Sequence, residues 1–288
     1  MERFISKSLE EWKQNTDRKP LILRGARQIG KTWSLKEFGK TQYEEKGFAC
    51  HYIDFLKSNR LHTIFQESSD PKEIITLLEF YLKTSINPAQ DLLIFDEIQE
   101  CPEAVTALKY FSQDLRKLDL IAAGSHIGLM HNSQALPVGK VNFLSMYPLS
   151  FGEFVHTLDP NAYEYLEYSS CLSPFPTIVH ERLLELFQLY SIIGGLPEAV
   201  LAFSAHLPSD IRKGVTAARS VQHELTVGYR ADFSKYSGKV NAMHINYVFD
   251  AVPGQLSQAY HETVDKFRFN TDFLEYKNIR LDLALVLV

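Results

Sequence analysis

The residues Gly25-Ala26-Arg27-Gln28-Ile29-Gly30-Lys31-Thr32 fit the pattern G-x-x-x-x-G-K-[ST] and lie just after an apolar run, Pro20-Leu21-Ile22-Leu23. This segment limits the fold more tightly than any other part of the chain. Gly25 and Gly30 allow a curl that turns successive backbone N–H groups inward, a nest for an anion. A buried strand has to enter the curl and a helix has to leave it, so the helix dipole points at the same spot. The helical pattern from Lys31 to about Gly39 supplies that helix. Lys31 can then reach the β- and γ-phosphates of a nucleoside triphosphate, and the Thr32 hydroxyl can ligate Mg²⁺. Gly25 through Thr32, with Trp33 behind them, form the candidate binding segment.

A second apolar run, Leu92-Leu93-Ile94-Phe95, ends in Asp96-Glu97. A carboxylate at the carboxyl end of a strand suits Mg²⁺ bound to phosphates, so Asp96 is the second candidate metal residue. Glu97 can orient or deprotonate an attacking water. Alone, Asp-Glu after a strand also suits the start of a helix; paired with the upstream loop it reads as chemistry. An extra strand (Phe48–Phe55) and an amphipathic helix (Lys72–Thr84) fit between the two motifs. An inserted strand together with a glutamate after the aspartate points to P-loop enzymes that hydrolyse ATP with a resident glutamate.

A third run, Leu118–Ala123, ends in Gly124-Ser125-His126. Ser125 reads two ways: as a hydroxyl that senses the γ-phosphate or the water, or as the N-cap of a following helix. His126 has no partner in the sequence that would mark it as functional.

Strands alternating with helices imply a mostly parallel sheet. A fifth strand is expected over Val141–Met146, after which the pattern turns helical with frequent prolines. The boundary is placed near Pro148–Ser150, giving a P-loop domain over 1–150 and a helical remainder over 151–288. Lys and Arg total 30 against 35 Asp and Glu, a net charge of −5, which argues against nucleic acid as the main partner. Cys50, Cys101 and Cys171 are odd in number and widely spaced, as expected of reduced thiols in a cytoplasmic protein. No run is long enough to span a bilayer, and the terminal LALVLV is far too short.

GARQIGKT, LLIFDEIQ, IAAGSHIG, VGKVNFLSMYPLSFGEF and IIGGLPEAV, in that order, resemble a prokaryotic family of AAA-type ATPases. The resemblance covers about residues 1–270. It implies an α/β fold: a three-layer αβα parallel sheet with an inserted strand, then a helical and partly winged-helix region. It implies ATP and Mg²⁺ as ligands, and hydrolysis to ADP and phosphate that drives or gates a conformational change. Gly194-Gly195-Leu196-Pro197 is similar to an element whose proline lies against adenine; helix capping explains the same residues. Relatives often carry Gly-Arg where this chain has Gly139-Lys140, so no arginine finger is assigned. Relatives usually run on into a further domain, so a truncated or frame-disrupted copy is expected, with a complete but short variant as the competing reading. The alternative function is a slow-turnover nucleotide-controlled switch, with an unidentified protein partner. A third reading uses Asn241–Ala251 and Gly254–Tyr260 as a helix-turn-helix, with Lys266 and Arg268 just beyond; an interdomain packing element is the competing account.

Overall fold

A computed structural model describes residues 1–125, 139–168 and 175–261. Five strands form one sheet in the order β2-β3-β4-β1-β5: β1 (Leu21–Gly25), β2 (Cys50–Asp54), β3 (Leu92–Asp96), β4 (Asp119–Ser125) and β5 (Asn142–Ser145). Every pairing is parallel. The strand lying between β1 and β3 in space is therefore β4. The extra strand expected between the motifs, β2, takes the sheet edge.

Successive side chains of each strand point to opposite faces of the sheet, and both faces are covered. On one face Ile22, Ile53, Leu93, Phe95, Leu120 and Ala122 pack with α3 (Asn59–Glu67), α4 (Pro71–Leu82) and α5 (Pro102–Asp114). On the other, Leu21, Leu23, Leu92, Ile94, Ile121 and Ala123 pack with α1 (Ile5–Gln14) and α2 (Lys31–Gln42). This is a three-layer αβα sandwich. Phe95 anchors the first face, with Phe55, Phe65 and Phe111 set edge-on at centroid distances of 5.6, 5.5 and 6.1 Å. Edge-on contacts of this kind add about 1 kcal/mol each beyond area burial.

Past β5 the chain is helical: α6 (Phe151–Leu158), α7 (Pro160–Tyr168), α8 (Thr177–Ile193), α9 (Pro197–Ser204) and α10 (Ile211–His261). The sheet ends at Ser145, but the first compact unit runs from Met1 to Arg219. The first of these helices, α6, is tied to the N-terminus. Arg3 Nε donates to Glu153 Oε1 at 2.9 Å, and the Phe4 N–H to the same oxygen at 2.8 Å. Ser150 and Glu153 also form a reciprocal capping box at the start of α6.

Burial pushes the Glu153 carboxyl up, but hydrogen bonds from Ser150, Arg3 and Phe4 outweigh it and hold the group below its ordinary value. A depressed carboxylate stabilises the fold above its unfolded value and loses that contribution as pH falls through the folded one. The difference in stability between wild type and Glu153→Gln is therefore expected to shrink as pH drops below about 4.5. Thermal melts of both proteins between pH 7 and pH 3 check this; a constant difference would contradict it.

The second compact unit begins at Ser220. Within it, Phe233 meets Phe249 edge-on at a centroid distance of 5.6 Å, and Arg230 pairs with Asp250. A straight helix would hold residues 16 apart at about 24 Å, so the helical run folds back on itself. Phe233, Ala242 and Ile245 form its small core. The helix-turn-helix of the third reading is corrected: residues 241–261 are helical throughout, with Pro253 inside the helix rather than in a turn. Cys50 and Cys101 are free thiols. His126, Cys171, Lys266, Arg268 and the terminal LALVLV lie outside the described residues. Among the described residues, no helix is long and apolar enough to cross a membrane.

Candidate functional site

Three strands deliver the sequence-chosen residues to one rim of the sheet. Gly25 ends β1 in register with Ser125, the last residue of β4. Asp96 ends β3, whose Phe95 is in register with Ala122 of β4. The carboxyl ends of strands in a parallel sheet are where such folds bind ligands.

The loop from Gly25 to Gly30 is held in a shape that few sequences tolerate. A Cβ on Gly25 would sit 2.3 Å from the Met146 carbonyl oxygen and 2.6 Å from Ile29 Cδ1, so only glycine fits. Gln28 and Gly30 are both left-handed, with φ of 63° and 93°. Ile29 between them is fully buried and anchors the loop in the core. Lys31 opens α2 and is almost wholly buried. Its Nζ donates to the carbonyls of Gly25 (3.0 Å) and Ala26 (2.6 Å). Burial lowers its pKa to about 8, against the pull of Glu97 and Asp96 and with a further push from Arg27. A buried ammonium offered only neutral carbonyls is a strong attractor for phosphate oxygens. Trp33, next in α2, is 48% exposed beside the loop.

The Thr32 hydroxyl donates to Asp96 Oδ2 at 2.6 Å, although the residues are 64 apart in sequence. The hydroxyl oxygen keeps its lone pairs for a cation while its proton orients the carboxylate. This all-oxygen pair fits Mg²⁺, which takes few protein ligands and keeps phosphates and waters for the rest. Glu97 leaves the strand with φ of 52°, a left-handed backbone on a side chain that gains nothing from it. Such strain costs about 1 kcal/mol or more and concentrates at functional sites. Its N–H donates to Asp96 Oδ1 at 3.0 Å, and its carboxylate accepts from Gln99 Nε2.

Two residues of this site carry no motif in the sequence. The Tyr52 hydroxyl, on β2, donates to the same Asp96 Oδ2 at 2.6 Å. Burial and that hydrogen bond hold the phenol protonated, with its pKa raised, and Lys36 Nζ lies 4.2 Å from its ring centroid. The place of Tyr52 on the strand beside β3, opposite Ile94, brings it to the site. Arg3, just ahead of α1, donates to the Ile29 carbonyl of the loop at 2.6 Å; no motif marks it.

Pro197 is the first residue of α9, and Gly194 is the C-cap of α8 with φ of 72°, so both capping roles are present. The proline also reaches the loop: a Cβ on Gly30 would lie 3.7 Å from Pro197 Cγ. Gly139-Lys140 sits at the opposite end of the strands. There Lys19, ahead of β1, donates to the Gly139 carbonyl at 2.7 Å. Within this chain, Lys140 is thus about a strand length, roughly 16 Å, from the loop.

Residues 17–155 match a sequence family described as "AAA domain". No curated protein matches the chain. Among solved structures, the chain is similar to C. elegans PCH-2 (15% identity, 76% of this chain and 66% of that one, TM-score 0.44). It is also similar to Drosophila ORC bound to DNA (13%, 93% and 82%, 0.43) and to AMPPCP-bound DnaA from Aquifex aeolicus (12%, 80% and 76%, 0.35). The strand order and the phosphate-type loop agree with the family match, and residues 17–155 carry the likeness to an AAA-type P-loop domain.

Proposed function

We propose that this protein binds ATP with Mg²⁺ and hydrolyses it to ADP and phosphate. The observation that carries the reading is the Thr32–Asp96 contact beside a buried Lys31, which joins the two motifs at one point. Lys31 exchanges its two carbonyl partners for β- and γ-phosphate oxygens. The backbone N–H groups of residues 28–32 take the remaining phosphate oxygens at the helix N-terminus. Thr32 and Asp96 hold Mg²⁺, which neutralises phosphate charge when bound. Glu97 orients the attacking water and accepts its proton. Ser125, at the end of the neighbouring strand, hydrogen-bonds the γ-phosphate or that water. The test is phosphate release from ATP by the full chain: turnover with Mg²⁺ and none with excess EDTA supports the reading, and equal release in both contradicts it.

A second reading, a nucleotide-controlled switch with little turnover, is favoured by Pro197. Its ring lies beside Gly30, which gives α9 a means of sensing what the loop holds. ADP retained through purification with negligible turnover would favour the switch. Cytoplasmic residence and an unidentified protein partner belong to this proposal, with nucleic acid secondary.

A further inference from the structure

Arg3 is 4% exposed, and its three donor nitrogens each have a different partner from a distant part of the chain. Nε donates to Glu153 Oε1 of α6 at 2.9 Å, Nη1 to the Ile29 carbonyl at 2.6 Å and Nη2 to the Tyr147 carbonyl at 2.7 Å. Glu153 is braced in turn by the N–H groups of Phe4 and Ser150, both at 2.8 Å. A planar fork reaches acceptors spread across its width from three separate nitrogens; an ammonium presents its three donors from a single atom and does not span them.

The loop carbonyl that Arg3 holds is a consequential one. Ile29 lies between the two left-handed residues Gln28 and Gly30. In a trans peptide the carbonyl and the following N–H point to opposite sides. Fixing the Ile29 carbonyl on the Arg3 side therefore fixes the Gly30 N–H on the other side, away from the guanidinium. The donor direction of the peptide leading into Lys31 is thus set by a residue that needs no contact with the phosphates. A loop carrying two left-handed residues would otherwise lose freedom on binding, and pre-ordering it removes that cost.

We infer that Arg3 is a positioning residue for phosphate binding: braced by Glu153, it holds the loop in its anion-accepting shape before nucleotide arrives. The inference rests on the reading of this loop as a phosphate site. It assigns Arg3 to no contact with nucleoside or metal, which gives it a distinctive signature. A residue acting through the loop affects every ligand that uses the loop, whatever else that ligand carries.

The experiment is calorimetric titration of wild type, Arg3→Gln and Arg3→Lys with Mg·ATP and, separately, with inorganic tripolyphosphate. All titrations are run well below each protein's melting temperature. Arg3→Gln is expected to weaken both ligands about tenfold and equally, a change of about 1.4 kcal/mol. Its kcat on ATP should stay within about threefold of wild type, so the loss falls on KM. Arg3→Lys is expected to recover little of the affinity. A lowered melting temperature with both affinities unchanged would overturn the inference, making Arg3 a structural pin only. A loss for ATP but not tripolyphosphate would also overturn it, by placing Arg3 at the base. Failure of wild type to bind either ligand would remove the phosphate site itself, a separate result. Where Arg3→Gln does not fold, Glu153→Gln removes the brace and leaves the fork. It is then expected to weaken both ligands equally by about threefold, and unchanged affinity would overturn the inference as before.

Discussion

Glu97→Gln is expected to lower phosphate release by two to three orders of magnitude while ATP binding stays within a few-fold of wild type. A general base in the right place contributes about 10²–10⁴-fold, and the amide keeps the shape of the carboxylate but cannot take a proton. Geometry sets Glu97 apart from other acidic residues nearby. Its backbone is left-handed, which turns it out of the strand direction, and Gln99 holds its carboxylate. Asp96, by contrast, is committed to Thr32 and Tyr52. Single-turnover phosphate release read beside equilibrium ATP affinity separates the two roles. A Glu97→Gln protein as fast as wild type would place the base elsewhere, whereas loss of binding would make Glu97 a ligand-holding group.

The second large effect is at Lys31. Lys31→Ala is expected to weaken ATP by about a hundredfold, in line with the loss of charge-assisted hydrogen bonds worth about 1.5–3 kcal/mol each. Its folding stability should change little. The ammonium donates to two loop carbonyls, but burial lowers its pKa to about 8, so holding the charge already opposes folding near neutral pH. Weakened binding together with a melting point within a few degrees of wild type would show a residue held for its ligand rather than for the fold. A large fall in melting temperature would contradict that division.

These expectations rest on residues that were legible from short-range patterns. β1, the loop and α2 are contiguous, and both glycines are required by local backbone geometry or by a close approach to Met146. The Leu92–Asp96 strand reads from its apolar run and the acidic step that ends it. Both faces of that strand are covered, so the run is continuous rather than alternating. Tyr52 and Arg3 were not legible. Each acts through a partner 44, 26 or 150 residues away, and nothing local distinguishes a tyrosine on an edge strand or an arginine ahead of a helix. Helix α3 also escaped notice. It is short, and its apolar residues Leu61, Ile64 and Phe65 give barely two turns of period. The Val252-Pro253-Gly254 segment erred in the other direction. Proline and glycine normally punctuate a chain, yet the backbone there stays helical, and the fold-back lies upstream between Phe233 and Phe249.

On the reading proposed above, the loop beside Asp96 is where this protein takes its nucleotide. An ATP titration of wild type and Lys31→Ala tests it most directly. Trp33 is half exposed next to the loop while Trp12 is buried in the core, so its fluorescence is a convenient reporter. A saturable Trp33 response is expected in wild type, moving to about hundredfold higher ATP in Lys31→Ala. The same dissociation constant in both proteins would contradict it.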